Sequence, residues 1–152
     1  MTVSSLLVPV LNTINFTDRF INLSKDYNAF EDRLVDDDFD IVQNIIQSFG
    51  YKFKFKKTEN FFKLVETVNP YKIQFNVVIQ RGNIEFIWGI EKNAERLKMG
   101  GSICGAIGFL TEQNFTSKPI YRNYEDLREI LKEAFSIYED FKMELYKQEK
   151  TV

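Results

Sequence analysis

The chain predicts an α+β fold: N-terminal helices and a long C-terminal helix packed on one face of an antiparallel meander of four or five strands. Three observations carry this. Between Tyr51 and Ile90 the apolar residues recur with period two, the period of a strand. Before Phe49 and after Asn123 they recur every three or four residues, the period of a helix. The connections between the period-two runs are too short for anything but antiparallel neighbours. A chain of 152 residues is expected to form a single domain, 1–152, and one of this size buries roughly 70% of its unfolded surface without a metal or a disulfide. Fifteen Phe, seven Tyr and one Trp argue against disorder.

Taken in order, Pro9 is tolerated only in a first helical turn, so a helix begins close to it with Val10, Leu11 and Ile14 inward. Residues Asn15 to Asp18 interrupt it, and Thr17 or Asp18 is expected to cap a second segment carrying Phe20, Ile21 and Leu23. Asp36, Asp37 and Asp38 then stand where carboxylates cap free amides and oppose the helix dipole. Phe39, Val42, Ile45, Ile46 and Phe49 follow at helical steps, and Gly50 stops the run.

From Tyr51 the period changes. Tyr51, Phe53 and Phe55 alternate with Lys52, Lys54 and Lys56, as in a half-buried strand. Thr58-Glu59-Asn60 turns the chain into Phe61 to Val68, and Asn69-Pro70 breaks it again. Tyr71, Ile73, Phe75, Val77 and Ile79 form the next apolar face. Arg81-Gly82-Asn83 makes a compact hairpin connection, and Ile84, Phe86, Trp88 and Ile90 return the face. Glu91 to Met99 is polar and predicts one or two helical turns. Gly100-Gly101 leads to an apolar run, Ser102 to Leu110, read as a fifth strand weakened by Gly105 and Gly108. Residues 111–122 form a loop. Asn123 caps a final helix on which Tyr124, Leu127, Leu131, Ala134, Tyr138, Phe141 and Leu145 step by three and four, widened by Ile130, Phe135 and Ile137. A stripe this broad packs across a sheet.

Composition narrows the chemistry. There is no histidine and one cysteine, so no internal disulfide forms, no imidazole is at hand as a base, and any metal site would have to be all-oxygen. Cys104 lies in an apolar run and is expected to be a small buried hydrophobe in a reducing compartment. The chain begins without a basic n-region, and no apolar run approaches the ~18 residues that span a bilayer, so a cytoplasmic protein with no membrane association is expected.

Motifs fail on their spacing. A calcium loop beginning at Asp36 needs Gly sixth and Glu twelfth, where Ile41 and Gln47 stand. The glycines at 100, 101 and 105 lack the lysine of a phosphate loop. In Tyr51–Lys57 the alternation places aromatics and lysines on opposite faces, which suits edge protection better than base stacking, so no nucleic acid is expected. No carboxylate pair is singled out for general acid–base work. The expectation is a protein that is no enzyme and carries no cofactor.

Charge is polarised along the chain. Residues 1–50 hold eight acids against three bases, and residues 51–110 hold ten bases against five acids. Glu31, Asp32, Asp36, Asp37, Asp38 and Asp40 form an anionic cluster suited to steering a basic partner. Size, acidity, the aromatic antiparallel strands over 51–90 and the capped terminal helix opening Asn123-Tyr124-Glu125-Asp126-Leu127 together resemble the small immunity proteins of bacterial polymorphic-toxin and contact-dependent systems. That resemblance implies an antidote that binds a cognate toxin and occludes its active site. Many such toxins are basic, and the six carboxylates would supply the charged part of the contact. The alternative is another non-catalytic binding module, such as a secretion chaperone or adaptor.

Overall fold

The computed structural model describes residues 2–150. It is an α+β fold built on a five-stranded antiparallel sheet whose spatial order follows the chain: β1 (Lys54–Lys56), β2 (Phe61–Val68), β3 (Tyr71–Gln80), β4 (Asn83–Lys92) and β5 (Glu95–Leu97). Three helices precede it, α1 (Val8–Thr13), α2 (Phe16–Asp26) and α3 (Phe39–Gln47). Two follow, α4 (Ile103–Thr111) and α5 (Tyr124–Lys150).

Alternation sorts the sheet into two unlike faces. On the inner face Leu64 stands opposite Phe75, Phe75 opposite Trp88, Val77 opposite Phe86 and Ile73 opposite Ile90, and all of these are buried. The stripe of α5 seats on them. Phe75 meets Tyr138 at 4.8 Å and Phe135 at 5.7 Å between ring centroids, and Trp88 meets Phe141 at 4.6 Å. Each such aromatic contact adds about 0.5–1.5 kcal/mol beyond its buried area. Phe16 and Phe20 of α2 close the cluster from the other side, at 5.5 Å and 6.0 Å from Trp88. The Trp88 indole N–H is the one buried side-chain polar atom among the described residues without a hydrogen-bond partner.

A second tie between α5 and the sheet is polar. Glu66, on the inner face where the apolar run of β2 ends, accepts from the Tyr138 hydroxyl at 2.7 Å and from Lys142 Nζ at 2.8 Å. Glu139 accepts from Lys142 at 2.9 Å and from the Tyr51 hydroxyl. Burial and the neighbouring carboxylates push both phenols well above the usual tyrosine range. Burial disfavours the Lys142 ammonium, and its bonds to Glu66 and Glu139 together more than offset this, so its pKa also lies above the ordinary lysine value.

Several local expectations change. The run 102–110 is α4, not a strand: Ser102 is its N-cap, accepting from the Gly105 N–H at 3.0 Å. The eight residues 103–110, all apolar, satisfy either period, and the cap with the packing against α2 and β4 selects the helix. Gly105 serves close backbone approach, because a Cβ there would strike the Gly100 carbonyl. The fifth strand is instead Glu95–Leu97, where helical turns were expected. Asn93 and Ala94, both with positive φ, make a two-residue turn that places Glu95 opposite Lys92. In α2 the capping position falls on Asn15, in the left-handed region and without a side-chain cap, rather than on Thr17 or Asp18. Strand β1 keeps only three of the six residues that alternate, since the chain before Lys54 leaves the ladder toward α3.

Candidate functional site

The acidic segment runs across the end of the sheet that carries the β1–β2 and β3–β4 turns. Its seat is set by backbone bonds: Leu34 N–H donates to the Tyr121 carbonyl at 3.0 Å, and Tyr121 N–H to the Gly82 carbonyl at 2.9 Å. Gly82 has a positive φ of 85°, as a two-residue hairpin demands. Its missing side chain also leaves the space that the Arg33 side chain fills. At the other end of the segment the Phe39 ring lies 4.6 Å from Phe55 and stacks on Phe62 at 6.0 Å. The structure therefore brings the six predicted carboxylates to one end of the molecule, but it gives them different duties.

Asp38 is the N-cap of α3, accepting from the Asp40 N–H at 2.8 Å and the Ile41 N–H at 3.4 Å. Its own N–H donates to the Tyr124 hydroxyl at 2.8 Å. Asp37 accepts from the fully buried Tyr121 hydroxyl at 2.5 Å. Burial and that bond push the Tyr121 phenol well above its ordinary value. These two acids hold α3 and its approach against the start of α5. Glu31 and Asp32 lie on a single 3₁₀ turn, Phe30–Asp32, and are exposed, as are Asp36 and Asp40. None of the six forms an ion pair with another described residue. Two bases stand near. The Arg33 guanidinium lies 3.9 Å over the Phe30 ring, and Arg122, bound to Asp126 at 2.8 Å, feels the charge of Asp32.

Sequence reasoning missed the apolar members of this end. Phe30, Phe39 and Ile41 are 51%, 44% and 41% exposed, although helical spacing had assigned Phe39 to the core. The signal was present: Phe39 and Ile41 alternate with Asp38 and Asp40, an arrangement that a first helical turn cannot bury on one face.

Elsewhere the chemistry is spare. Among the described residues no group of three or more His, Cys, Asp or Glu is placed to hold a metal ion. Cys104 is only partly buried, and its thiol donates to the Ser117 carbonyl at 3.4 Å. Burial raises its pKa above the ordinary thiol value, which keeps it protonated near neutrality. The cavity beside it, about 20 Å³ and lined by Phe20, Ile84, Phe86, Ile103 and Ile107 among others, has room for about one water molecule. No helix among the described residues is long and apolar enough to cross a membrane. No protein-family model, no curated protein and no solved structure matches this chain.

Proposed function

We propose that this protein is a non-catalytic binding domain that neutralises a basic protein partner by occlusion, as an immunity protein blocks the active site of its cognate toxin. The observation that carries this reading is the company the carboxylates keep. Glu31, Asp32, Asp36 and Asp40 are exposed and form no ion pair among the described residues, and the exposed apolar side chains Phe30, Phe39 and Ile41 stand in the same segment. Exposed aromatic and aliphatic anchors beside complementary charge supply the two needs of a protein interface: anchoring energy and a steered encounter. The backbone bond from Leu34 to Tyr121 and the packing of Arg33 on Gly82 hold the segment in place and limit the ordering cost on binding.

A chaperone reading requires a continuous apolar groove. The other exposed large apolar residues, Leu6, Val65, Phe109, Met143 and Tyr146, are distributed over four separate parts of the chain. Immobilised protein exposed to lysate of the source cells should retain a basic protein, and 0.5 M salt should release much of it. Conversion of Glu31, Asp32, Asp36 and Asp40 to Ser should weaken that capture by about 1–3 kcal/mol in total. Capture indifferent both to salt and to these substitutions would remove the acidic segment from the interface.

A further inference from the structure

We propose that the open face of the sheet is a second docking surface, taking an acidic, extended segment of a protein partner across the strip around Gly89. The face is uncovered: the side chains it carries, from Lys54 through Arg96, are all exposed or partly exposed, whereas the opposite face is largely buried. Its charge is one-sided. Lys54, Lys56, Lys63, Lys72 and Arg96 lie on it, and none has an ion-pair partner among the described residues. Of its acids, Glu85 is bound to Lys118 at 3.0 Å and Glu91 stands between Lys72 and Arg96 in register, which leaves Lys54, Lys56 and Lys63 with no acid opposite them. Lys54 and Lys63 stand directly opposite each other in register, a pairing that destabilises a sheet unless something anionic lies over it.

Gly89 supplies an independent argument. It sits in the middle of β4, where glycine weakens a strand, and the β3–β4 register runs unbroken from Tyr71–Lys92 to Gln80–Asn83, so no bulge calls for it. A Cβ there would meet Gln74 Cβ at 3.8 Å and Arg96 Nη2 at 3.9 Å, ordinary contacts. The fold has room for a side chain at this position and leaves bare backbone instead, as expected where another chain approaches closely. A groove of about 140 Å³ passes over it, lined by three cations, Lys63, Lys72 and Arg96, against one acid, Glu91, with Gln74 and Asn76. Nucleic acid fits less well. The one ring on this face, Phe61, is partly buried, so stacking platforms are lacking. The amides of Gln74 and Asn76, joined at 3.1 Å, with Val65 and Ile87, suit a polypeptide that alternates carboxylates with aliphatic side chains.

The test is an amide-shift titration of isotope-labelled full-length protein with a synthetic peptide alternating Glu and Val, and in parallel with a Lys–Val peptide and with oligothymidine. The Glu–Val peptide should shift the amides of Gln74, Asn76 and Gly89 saturably. Affinity should fall about tenfold in Lys63→Glu/Lys72→Glu and also in Gly89→Val, with thermal midpoints confirming that both variants fold. Replacement of the acids at 31, 32, 36 and 40 by Ser should leave this binding unchanged, which separates it from the acidic segment. Tighter binding of oligothymidine, full affinity in Gly89→Val, or shifts that depend only on the protein's own concentration would each overturn the proposal.

Discussion

The acidic end and the basic face are both dense in charge, yet they stand in opposite relations to the fold. At the acidic end two of the six carboxylates are structural: Asp37 holds the Tyr121 hydroxyl, and Asp38 caps α3. On the open face none of the five cations is engaged by an ion pair among the described residues, and two of them face each other. A cluster of like charge is therefore weak evidence of a binding site until each member has been asked what it does for the fold. By that measure four acids remain at one surface and five bases at the other.

The largest effect separates Asp37 from its neighbour. Asp37→Ala should lower unfolding free energy by about 1–3 kcal/mol, because the buried Tyr121 hydroxyl loses its acceptor, while Asp36→Ala should stay within about 0.5 kcal/mol. Urea denaturation of the two variants decides. Equal losses would mean that the acidic end is not divided as described.

A pH series sharpens the same division. The phenols of Tyr121, Tyr51 and Tyr138 all have pKa values raised above 10.0 by burial and by hydrogen bonds to Asp37, Glu139 and Glu66. The folded state then holds protons that the unfolded chain releases. The stabilisation is fully present below pH 10.0 and is lost as pH rises above it. Thermal midpoints should be level on the approach to that pH and fall beyond it, and Tyr121→Phe should fall less steeply. An unchanged slope in Tyr121→Phe would detach the acidic end from the alkaline transition.

The smallest effect belongs to the basic face. Lys54→Glu replaces a like pair with an opposite one across the β1–β2 ladder and should raise stability by about 0.2–1 kcal/mol, measured by the same urea method. Most surface substitutions do not stabilise, so a loss here would show that the two lysines are not in repulsion.

Much of the fold was legible in the residues. Period-two runs located β2, β3 and β4, and the three- and four-residue steps from Tyr124 to Leu145 located α5 with its buried stripe. Asn123 caps that helix as read, accepting from the Asp126 N–H at 2.8 Å. The misreadings fall where a local signal is ambiguous or missing. The run 103–110 fits both periods. The turn at Asn93-Ala94 has no glycine to announce its positive φ. The surfaces were only half legible: the run of aspartates is visible by eye, but the bond from Asp37 to Tyr121 joins residues 84 positions apart. The lysine alternation was equally plain, yet what stands across from Lys54 depends on the register of a turn.

By itself the sequence determined which side of β2, β3, β4 and α5 faces inward, because helix and strand periods are properties of neighbouring residues and need no knowledge of the rest of the chain. Tertiary structure alone decided which charges were consumed by the fold and which were left to solvent. That outcome depends on hydrogen bonds and strand register between distant segments, where a shift of one residue would exchange the two faces of a strand. Lys54 against Lys63 and Asp37 against Tyr121 are both of this kind.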